Sequence, residues 1–349
     1  MLYTNWLSIL FAFGVSLYMG HLLQPVAKHL GLIDQPGGRK HHISETPLVG
    51  GIAVFLGFAF AILTLDISLA PFRSLIAGST LLIIVGVLDD LHEIPPYSRL
   101  IGQALASLFL VFWGGVHFTA LGNILGTGNI TLVNTSTVFS IFIIIASINA
   151  MNMLDGIDGL LGCICVIMLL TLMLAGIHVM EPDIALIAAI VISALAGFLF
   201  YNFPFRKRHA KIFMGDSGSM FLGFIIICTI MYLSNAPRIH QLNLGCIVWI
   251  MALPIFDIIN VTLRRLMLKQ NPLHATRDHV HHFFQKYNFN LYQTLWSLIF
   301  ITLITNIIGL IGFYTGVTPY YLFYSFTFLF LILSILYQYQ WIKLTKASS

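Results

Sequence analysis

The stretch INAMNMLDGIDGLLG, residues 148–162, carries Asp155 and Asp158, the only Asp, Glu, Lys or Arg side chains between Arg99 and Glu181. Three further constellations share its polar character. LDDLHEIPPYS holds Asp89, Asp90 and Glu93, FMGDSGSMFLG holds Asp216, and RDHVHHFF holds His279, His281 and His282. Clustered carboxylates repel one another and resist ionisation unless a cation lies between them. Magnesium suits such a cluster, since it takes one or two carboxylates and completes its shell with water and substrate phosphate oxygens. Histidines and arginines nearby match the negative charge of a diphosphate. The Gly-rich turn around Asp216 offers backbone N–H groups at a helix N-terminus to an anion. None of the four stretches contains cysteine, which argues against zinc. The pattern points to phosphoryl transfer assisted by a hard divalent cation.

Taken singly, each stretch has a plainer reading: a solvated loop, a helix cap around Gly156 and Gly159, a headgroup contact. The joint pattern weakens those readings. Eight of the thirteen acidic residues fall in loops that topology assigns to one face and a ninth, Asp216, borders one, and ionisable groups near membrane depth tend to line a functional cavity.

The elements that must position these groups are apolar. The chain is 58% hydrophobic and 9% charged, against roughly 25% charge in an average soluble domain. Runs long enough to cross a bilayer recur at 5–24, 48–65, 71–88, 99–118, 136–151, 159–179, 183–202, 213–233, 242–263, 293–315 and 319–342. The expected fold is an all-α polytopic integral membrane protein of about eleven transmembrane helices. Residues 1–349 then form one transmembrane domain, with no room for a separate soluble one. No Lys or Arg precedes the first run, so it is not read as a cleavable signal. With the N-terminus outside, fifteen of the seventeen Lys and Arg residues lie in or beside inside segments, Arg73 and Arg238 being the exceptions. The positive-inside rule therefore favours a periplasmic N-terminus and a cytoplasmic C-terminus. The same alternation places all four polar constellations at the cytoplasmic face, an agreement not used to set the orientation. The clusters RKRHAK (206–211) and RRLMLK (264–269) serve as orientation and headgroup anchors. The inside loop 264–292 carries five basic residues and four histidines. Outside, FTALGNILGTGNITLVN is predicted to form a small β-hairpin. Cys163, Cys165, Cys228 and Cys246 fall in apolar runs and are read as packing residues.

At these residues the sequence resembles the polyprenyl-phosphate N-acetylhexosamine-1-phosphate transferase superfamily, glycosyltransferase family 4, in its GlcNAc-type branch. The likeness covers essentially the whole chain: span count and spacing, TPLVGG at 46–51, the Asp pair at 89–90, NMLDGIDG, MGDSGS and the His-x-His loop. It implies transfer of GlcNAc-1-phosphate from UDP-GlcNAc to undecaprenyl phosphate, giving GlcNAc-diphosphate-undecaprenol and UMP, at the start of a cell-envelope glycan such as O antigen; the same reaction with another UDP-N-acetylhexosamine is the alternative. It implies Asp89, Asp90 and Asp216 as the catalytic residues, with Asp90 and Asp216 holding magnesium or manganese. Asn152, Asp155 and Asp158 match the nucleotide side of the pocket. His279 and His281 match the phosphate and sugar contacts, with His282 and Arg265 assisting, so loop 264–292 becomes the recognition loop. It further implies a multi-pass protein of the bacterial inner membrane with its active site on the cytoplasmic face. Membrane lipids, and a second copy of the chain in a homodimer, are the expected partners; nucleic acid is not. One departure stands out: the family's first motif often ends in a second-turn Asp where this chain has Glu93, which is left out of the site. The register of Lys40 near TPLVGG is open.

Two other classes compete. Intramembrane prenyltransferases also use Asp-rich loops and magnesium, but favour Asp-x-x-x-Asp on facing helices and have no use for a His-x-His loop. Transporters place ionisable groups near mid-membrane in paired repeats; here the carboxylates sit at one end and no repeat is visible.

Overall fold

The computed structural model describes residues 5–34, 45–205, 209–236, 241–271 and 278–347. Its helices are α1 (Trp6–Leu30), α2 (Gly50–Ile62), α3 (Arg73–His92), α4 (Pro96–Leu108), α5 (Ser136–Leu154), α6 (Leu160–His178), α7 (Pro182–Asn202), α8 (Gly215–Ser234), α9 (Leu244–Ile250), α10 (Ala252–Met267), α11 (Val280–Lys286), α12 (Leu291–Tyr314) and α13 (Pro319–Ala347). The mostly helical, multi-span character expected from composition is present. Among the described residues, eight helices are long and apolar enough to cross a membrane, and nine if α9 and α10, bent by 78°, count as one span. Eleven were expected. Each of the eleven runs does form helix, but three are interrupted. Run 48–65 yields only the 13-residue α2, which starts at Gly50, just past the strand at Thr46–Pro47, and ends at Ile62. Run 99–118 continues α4 through a π turn at Phe109–Trp113 and stops at Gly114. Run 242–263 breaks at Met251. A hydropathy count sums apolar residues and does not register such breaks.

Helix α8 is the hub. It packs against α2, α3, α5 and α6, and 89% of its apolar stretch is buried, against 17% for α13 at the periphery. Close helix crossings in a bilayer call for small residues, and glycines supply them beside Asp216. A Cβ on Gly51 would lie 2.2 Å from the Gly218 nitrogen, and one on Gly86 would lie 2.2 Å from the Ser217 Cα. This explains TPLVGG. The strand β1 (Ile33–Asp34) pairs antiparallel with β2 (Thr46–Pro47), and the chain leaving β2 then binds the start of α8. Phe213 N–H donates to Pro47 O at 2.9 Å, and Gly50 and Gly51 N–H donate to Phe213 O and Met214 O at 2.8 and 2.9 Å.

Two turns aim the polar groups. Glu93 ends α3 in the left-handed region, at φ 47°, its N–H donating to Asp89 O at 2.8 Å. Pro95 and Pro96 then start α4 and return it over the end of α3. Gly159, at φ 79°, opens α6. Its N–H donates to Asn202 Oδ1 at 2.8 Å, and Asn202 Nδ2 donates to Ile212 O at 2.9 Å. The expected hairpin is also present, with β3 (Ala120–Gly122) antiparallel to β4 (Ile130–Thr131). Cys165, Cys228 and Cys246 are buried.

Candidate active site

Four helix ends meet at one point. Asp89 and Asp90 occupy the last turn of α3, Arg99 the first turn of α4, Asn152 the last turn of α5 and Asp216 the first turn of α8. Arg99 Nη1 lies 3.1 Å from Asp89 Oδ2 and 3.4 Å from Asp216 Oδ2. Asn152 Nδ2 donates to Asp216 Oδ1 at 2.5 Å and to Ser219 Oγ at 2.8 Å. The Asp89 side chain is only 5% exposed while that of Asp216 is 34% exposed, so Asp216 and Arg99 face the opening and Asp89 stands behind them. One helical turn deeper, Asn149 Nδ2 donates to Gln103 Oε1 at 2.7 Å. Residues three and four apart share a helix face, so this amide pair keys α4 to α5 directly beneath Arg99 and Asn152.

Asp90 has a different task. Its Oδ1 accepts from Asp216 N–H at 2.8 Å and its Oδ2 from Ser217 N–H at 3.2 Å. The N–H groups at the N-terminus of α8, expected to be offered to a bound anion, are taken instead by the carboxyl of Asp90. Gly215, at φ 74°, permits the approach: a Cβ there would lie 2.6 Å from Asp90 Oδ2. Asp90 is therefore the cap that fixes Asp216 at the start of its helix.

The turn 155–158 lies alongside. Protein packed around the Asp155 carboxyl pushes it above the ordinary carboxylate range, and the charges of Asp216, Asp90 and Asp158 push the same way. The residue as a whole is exposed at the surface of the turn, which moderates that displacement. Asp158 Oδ2 accepts from Ala210 N–H at 3.1 Å, tying the turn to the segment before α8. Gly156 is a contact position: a Cβ there would lie 2.2 Å from His281 Nε2. The histidine loop thus reaches the carboxylate turn through His281. That ring is 2% exposed, and burial, with His282 and His279 adding to it, holds its imidazole well below the ordinary histidine range. His279 stacks on His281 with ring centres 5.7 Å apart, and His282 lies 4.2 Å from His281. Arg265 is buried on α10 within electrostatic reach of Asp278 and Asp257.

Of the residues singled out in the sequence, Asp89, Asp90, Asn152 and Asp216 form one connected group, and Asp155 adjoins it. His279, His281 and His282 form a second group that meets the first at Gly156. Glu93 is exposed and only turns the chain. Lys40 and residues 206–208 of the RKRHAK cluster lie outside the described residues. Two residues escaped the sequence reading. Arg99 is the basic residue that joins Asp89 to Asp216. Asp257 is buried on α10 and bonds the histidine loop, its Oδ2 lying 2.8 Å from His279 Nδ1. Asp257 had a signal: it is the one carboxylate inside the run 242–263, and a lone acid in an apolar span marks a functional candidate.

Three carboxyl groups, those of Asp89, Asp90 and Asp216, gather against the single guanidinium of Arg99, so acidic oxygen is in excess at this point. The donors there are oxygen atoms, which suits a hard cation. Among the described residues no three His, Cys, Asp or Glu side chains converge as a ready metal cage. The donor set therefore fits an ion that needs one or two carboxylates and takes the rest of its shell from water and phosphate.

The chain is similar to known proteins over most of its length. Residues 72–234, which include the four-helix cluster, match the model of glycosyl transferase family 4. The chain is 35% identical to the undecaprenyl-phosphate alpha-N-acetylglucosaminyl 1-phosphate transferase of Pasteurella multocida, over 89% of this chain and 87% of that protein. It is 32% identical to the Haemophilus influenzae protein of the same name, over 89% and 88% of the two chains. For the Escherichia coli K12 protein of that name the identity is 30%, over 82% and 77%.

Proposed function

Because the chain belongs to glycosyl transferase family 4, we propose that it transfers GlcNAc-1-phosphate from UDP-GlcNAc to undecaprenyl phosphate, starting a cell-envelope glycan such as O antigen. An oxygen of the lipid phosphate attacks the phosphorus bonded to the sugar. The bond from that phosphorus to the bridging oxygen of UMP breaks, and UMP leaves with the electron pair. The products are GlcNAc-diphosphate-undecaprenol and UMP. One phosphoanhydride replaces another, so the equilibrium lies near unity.

The observation that carries this reading is the convergence of Asp89, Asn152 and Asp216 with Arg99 from four helices that are far apart in sequence. Phosphoryl transfer asks the protein mainly for positioning and charge neutralisation. Arg99 presents a guanidinium to the phosphates at the open edge. Asn152 locks one Asp216 oxygen and leaves the other turned toward Arg99. Asp155 and Asp158 line the nucleotide side, while His279, His281, His282 and Arg265 frame the sugar and diphosphate from the facing loop. No general base is needed, since a phosphate monoester with a second pKa of roughly 6 is mostly dianionic at neutral pH. Asp89 accordingly positions the reacting groups and does not remove a proton. Asp216 and Asp89 would hold magnesium, or manganese, which when bound neutralises phosphate charge. Asp90, the second ligand that the resemblance implies, accepts one backbone amide on each oxygen, and the proposal gives it the cap in place of the metal.

Eleven crossings of the bacterial inner membrane, counting α2, α4 with its π turn, and α9–α10 as three of them, belong to the same proposal, and the basic-residue balance fits their alternation. It also supports a site on the cytoplasmic face. Lipid surrounds the chain, and a homodimer is the expected assembly. The test is an assay of purified protein against a panel of UDP-N-acetylhexosamines, with and without magnesium, and exchange of labelled UMP into UDP-GlcNAc in the presence of product lipid. Magnesium-dependent transfer from UDP-GlcNAc with UMP exchange is expected. Transfer only from a prenyl diphosphate, or no UMP exchange, would overturn the reading.

A further inference from the structure

The Asp257 side chain is fully enclosed on α10. An enclosed carboxylate is costly unless its oxygens are paired, and both of these are. Oδ2 lies 2.8 Å from His279 Nδ1, and Oδ1 accepts from Val280 N–H at 2.7 Å. The helix beneath is held firmly, since Asn260 Nδ2 donates to Ser334 Oγ at 3.0 Å and Gln338 Nε2 donates to Asn260 O at 2.9 Å. The start of the loop is pinned as well. Arg264 Nε lies 3.4 Å from Asp278 Oδ1, and Tyr337 O–H donates to Asp278 O at 2.9 Å.

A carboxylate can only accept, so His279 carries a hydrogen on Nδ1 and has Nε2 left for any other partner. The His279 ring lies nearly parallel to that of His281, at 7°, and His281 touches Gly156 in the carboxylate turn. Contacts thus run without a gap from Asp257 through two imidazoles to the turn bearing Asp155 and Asp158. We propose that Asp257 is a positioning residue: it fixes the tautomer and the aim of His279 so that Nε2 meets a phosphate oxygen of the nucleotide-sugar diphosphate. This deepens the transferase reading and rests on it. The other charged or titratable groups around the pair are His281 and His282 on the loop, Arg264 and Arg265 on α10, Asp278 before α11, Lys286 at its end and Tyr337 on α13.

A merely structural carboxylate and a positioning one differ in how they couple to His279. Asp257→Asn can still accept from Val280 N–H, but it turns an amide N–H toward His279 Nδ1 and so favours the wrong tautomer. The experiment is a double-mutant cycle with Asp257→Asn and His279→Ala, read as kcat and KM for UDP-GlcNAc and as direct binding of UDP-GlcNAc by calorimetry. In the wild-type background Asp257→Asn is expected to lower kcat/KM ten- to a hundredfold and to weaken binding. In the His279→Ala background it should cost less than threefold, because the partner is already gone. Equal losses in both backgrounds would overturn the proposal. If Asp257→Asn fails to accumulate in membranes, Asp257→Glu is read in the same cycle, and failure of both to fold would make Asp257 a folding residue and also overturn it. The wild-type arm keeps the two readings apart. A wild type inactive on UDP-GlcNAc refutes the transferase assignment, whereas an active wild type with additive losses refutes only the role of Asp257.

Discussion

Replacing Asp90 by Asn separates a helix cap from a metal ligand. The carboxylate accepts from two backbone amides, Asp216 N–H at 2.8 Å and Ser217 N–H at 3.2 Å. Each hydrogen bond to a charged group contributes about 1.5–3 kcal/mol. The Asn variant keeps one acceptor oxygen and turns an N–H toward the other amide, so about one such bond is lost along with the charge facing the α8 N-terminus. If that energy holds Asp216 in place during turnover, a loss of about 1.5–3 kcal/mol lowers the rate roughly ten- to a hundredfold. Asp90→Ala, losing both bonds, should lower it further. The assay is initial rate at saturating UDP-GlcNAc and lipid phosphate, titrated with magnesium, for wild type, Asp90→Asn and Asp216→Asn. The expected result is a lower plateau for Asp90→Asn with its magnesium half-saturation within about threefold of wild type, since its oxygens serve amides. Asp216→Asn should raise the magnesium requirement. A plateau restored to wild type by excess magnesium in Asp90→Asn, with a half-saturation shifted as far as that of Asp216→Asn, would refute the cap and restore Asp90 as a ligand.

Arg99→Gln removes the cation between Asp89 and Asp216; activity should fall at least about tenfold, since a hydrogen bond between charged groups contributes about 1.5–3 kcal/mol, and wild-type kcat/KM in that variant would refute the role. Asp155→Asn and Asp158→Asn should both cripple turnover without loss of membrane insertion, measured as rate per unit of folded protein; full activity in both would remove the turn from the site. Gly51→Ala drives a Cβ to 2.2 Å from the Gly218 backbone, so thermal unfolding in detergent should fall by several degrees, overpacking costing about 1–3 kcal/mol. Gly14→Ala, with nothing within 4 Å, is the neutral control. His281 is held neutral by burial beside His282 and His279, so its folded pKa lies below its unfolded value. The closed loop should keep its full stability above a pH of about 6.5 and lose up to about 1.4 kcal/mol per pH unit as pH falls below that. Hydrogen exchange of residues 278–286 at pH 7.5 and 5.5, corrected for intrinsic rates, measures this. Protection that does not change with pH would contradict it, and His281→Asn should abolish the dependence.

The acidic half of the site was legible in the sequence because charge is rare in this chain. Against about eighty residues without another charged side chain, Asp155 and Asp158 stand out, and the alternation of spans puts them on the same face as Asp89, Asp90 and Asp216. What could not be read was how the groups divide their work. Asp89 and Asp90 are neighbours of one type, yet one faces a guanidinium and the other caps a helix. That difference depends on α8 crossing α3 at Gly86 and on the left-handed Gly215, neither of which has a local signature. Arg99 was passed over because at the head of an apolar run it looks like one more anchor among the inside basic residues. Its role appears only when the Glu93 turn folds α4 back over α3. The two glycines of the 155–159 turn also read alike in sequence. Gly159 is needed for its left-handed backbone, while Gly156 is needed because an imidazole from about 125 residues further on occupies the space of a Cβ.

Membrane cost explains why the site is built from helix ends. A carboxylate in mid-bilayer is expensive and needs a partner, and a helix terminus brings backbone N–H groups that can serve as one. Asp90 uses the two at the start of α8, which lets a third carboxylate sit beside Asp89 and Asp216 without a second guanidinium. Asp257 applies the same solution with Val280 N–H and an imidazole. Both acids thus place another group, Asp216 in one case and His279 in the other. Asn152 ties Asp216 to the end of α5, and the loop of His279 meets the turn after α5 at Gly156, where filling the Cβ position would force His281 away from the carboxylate turn.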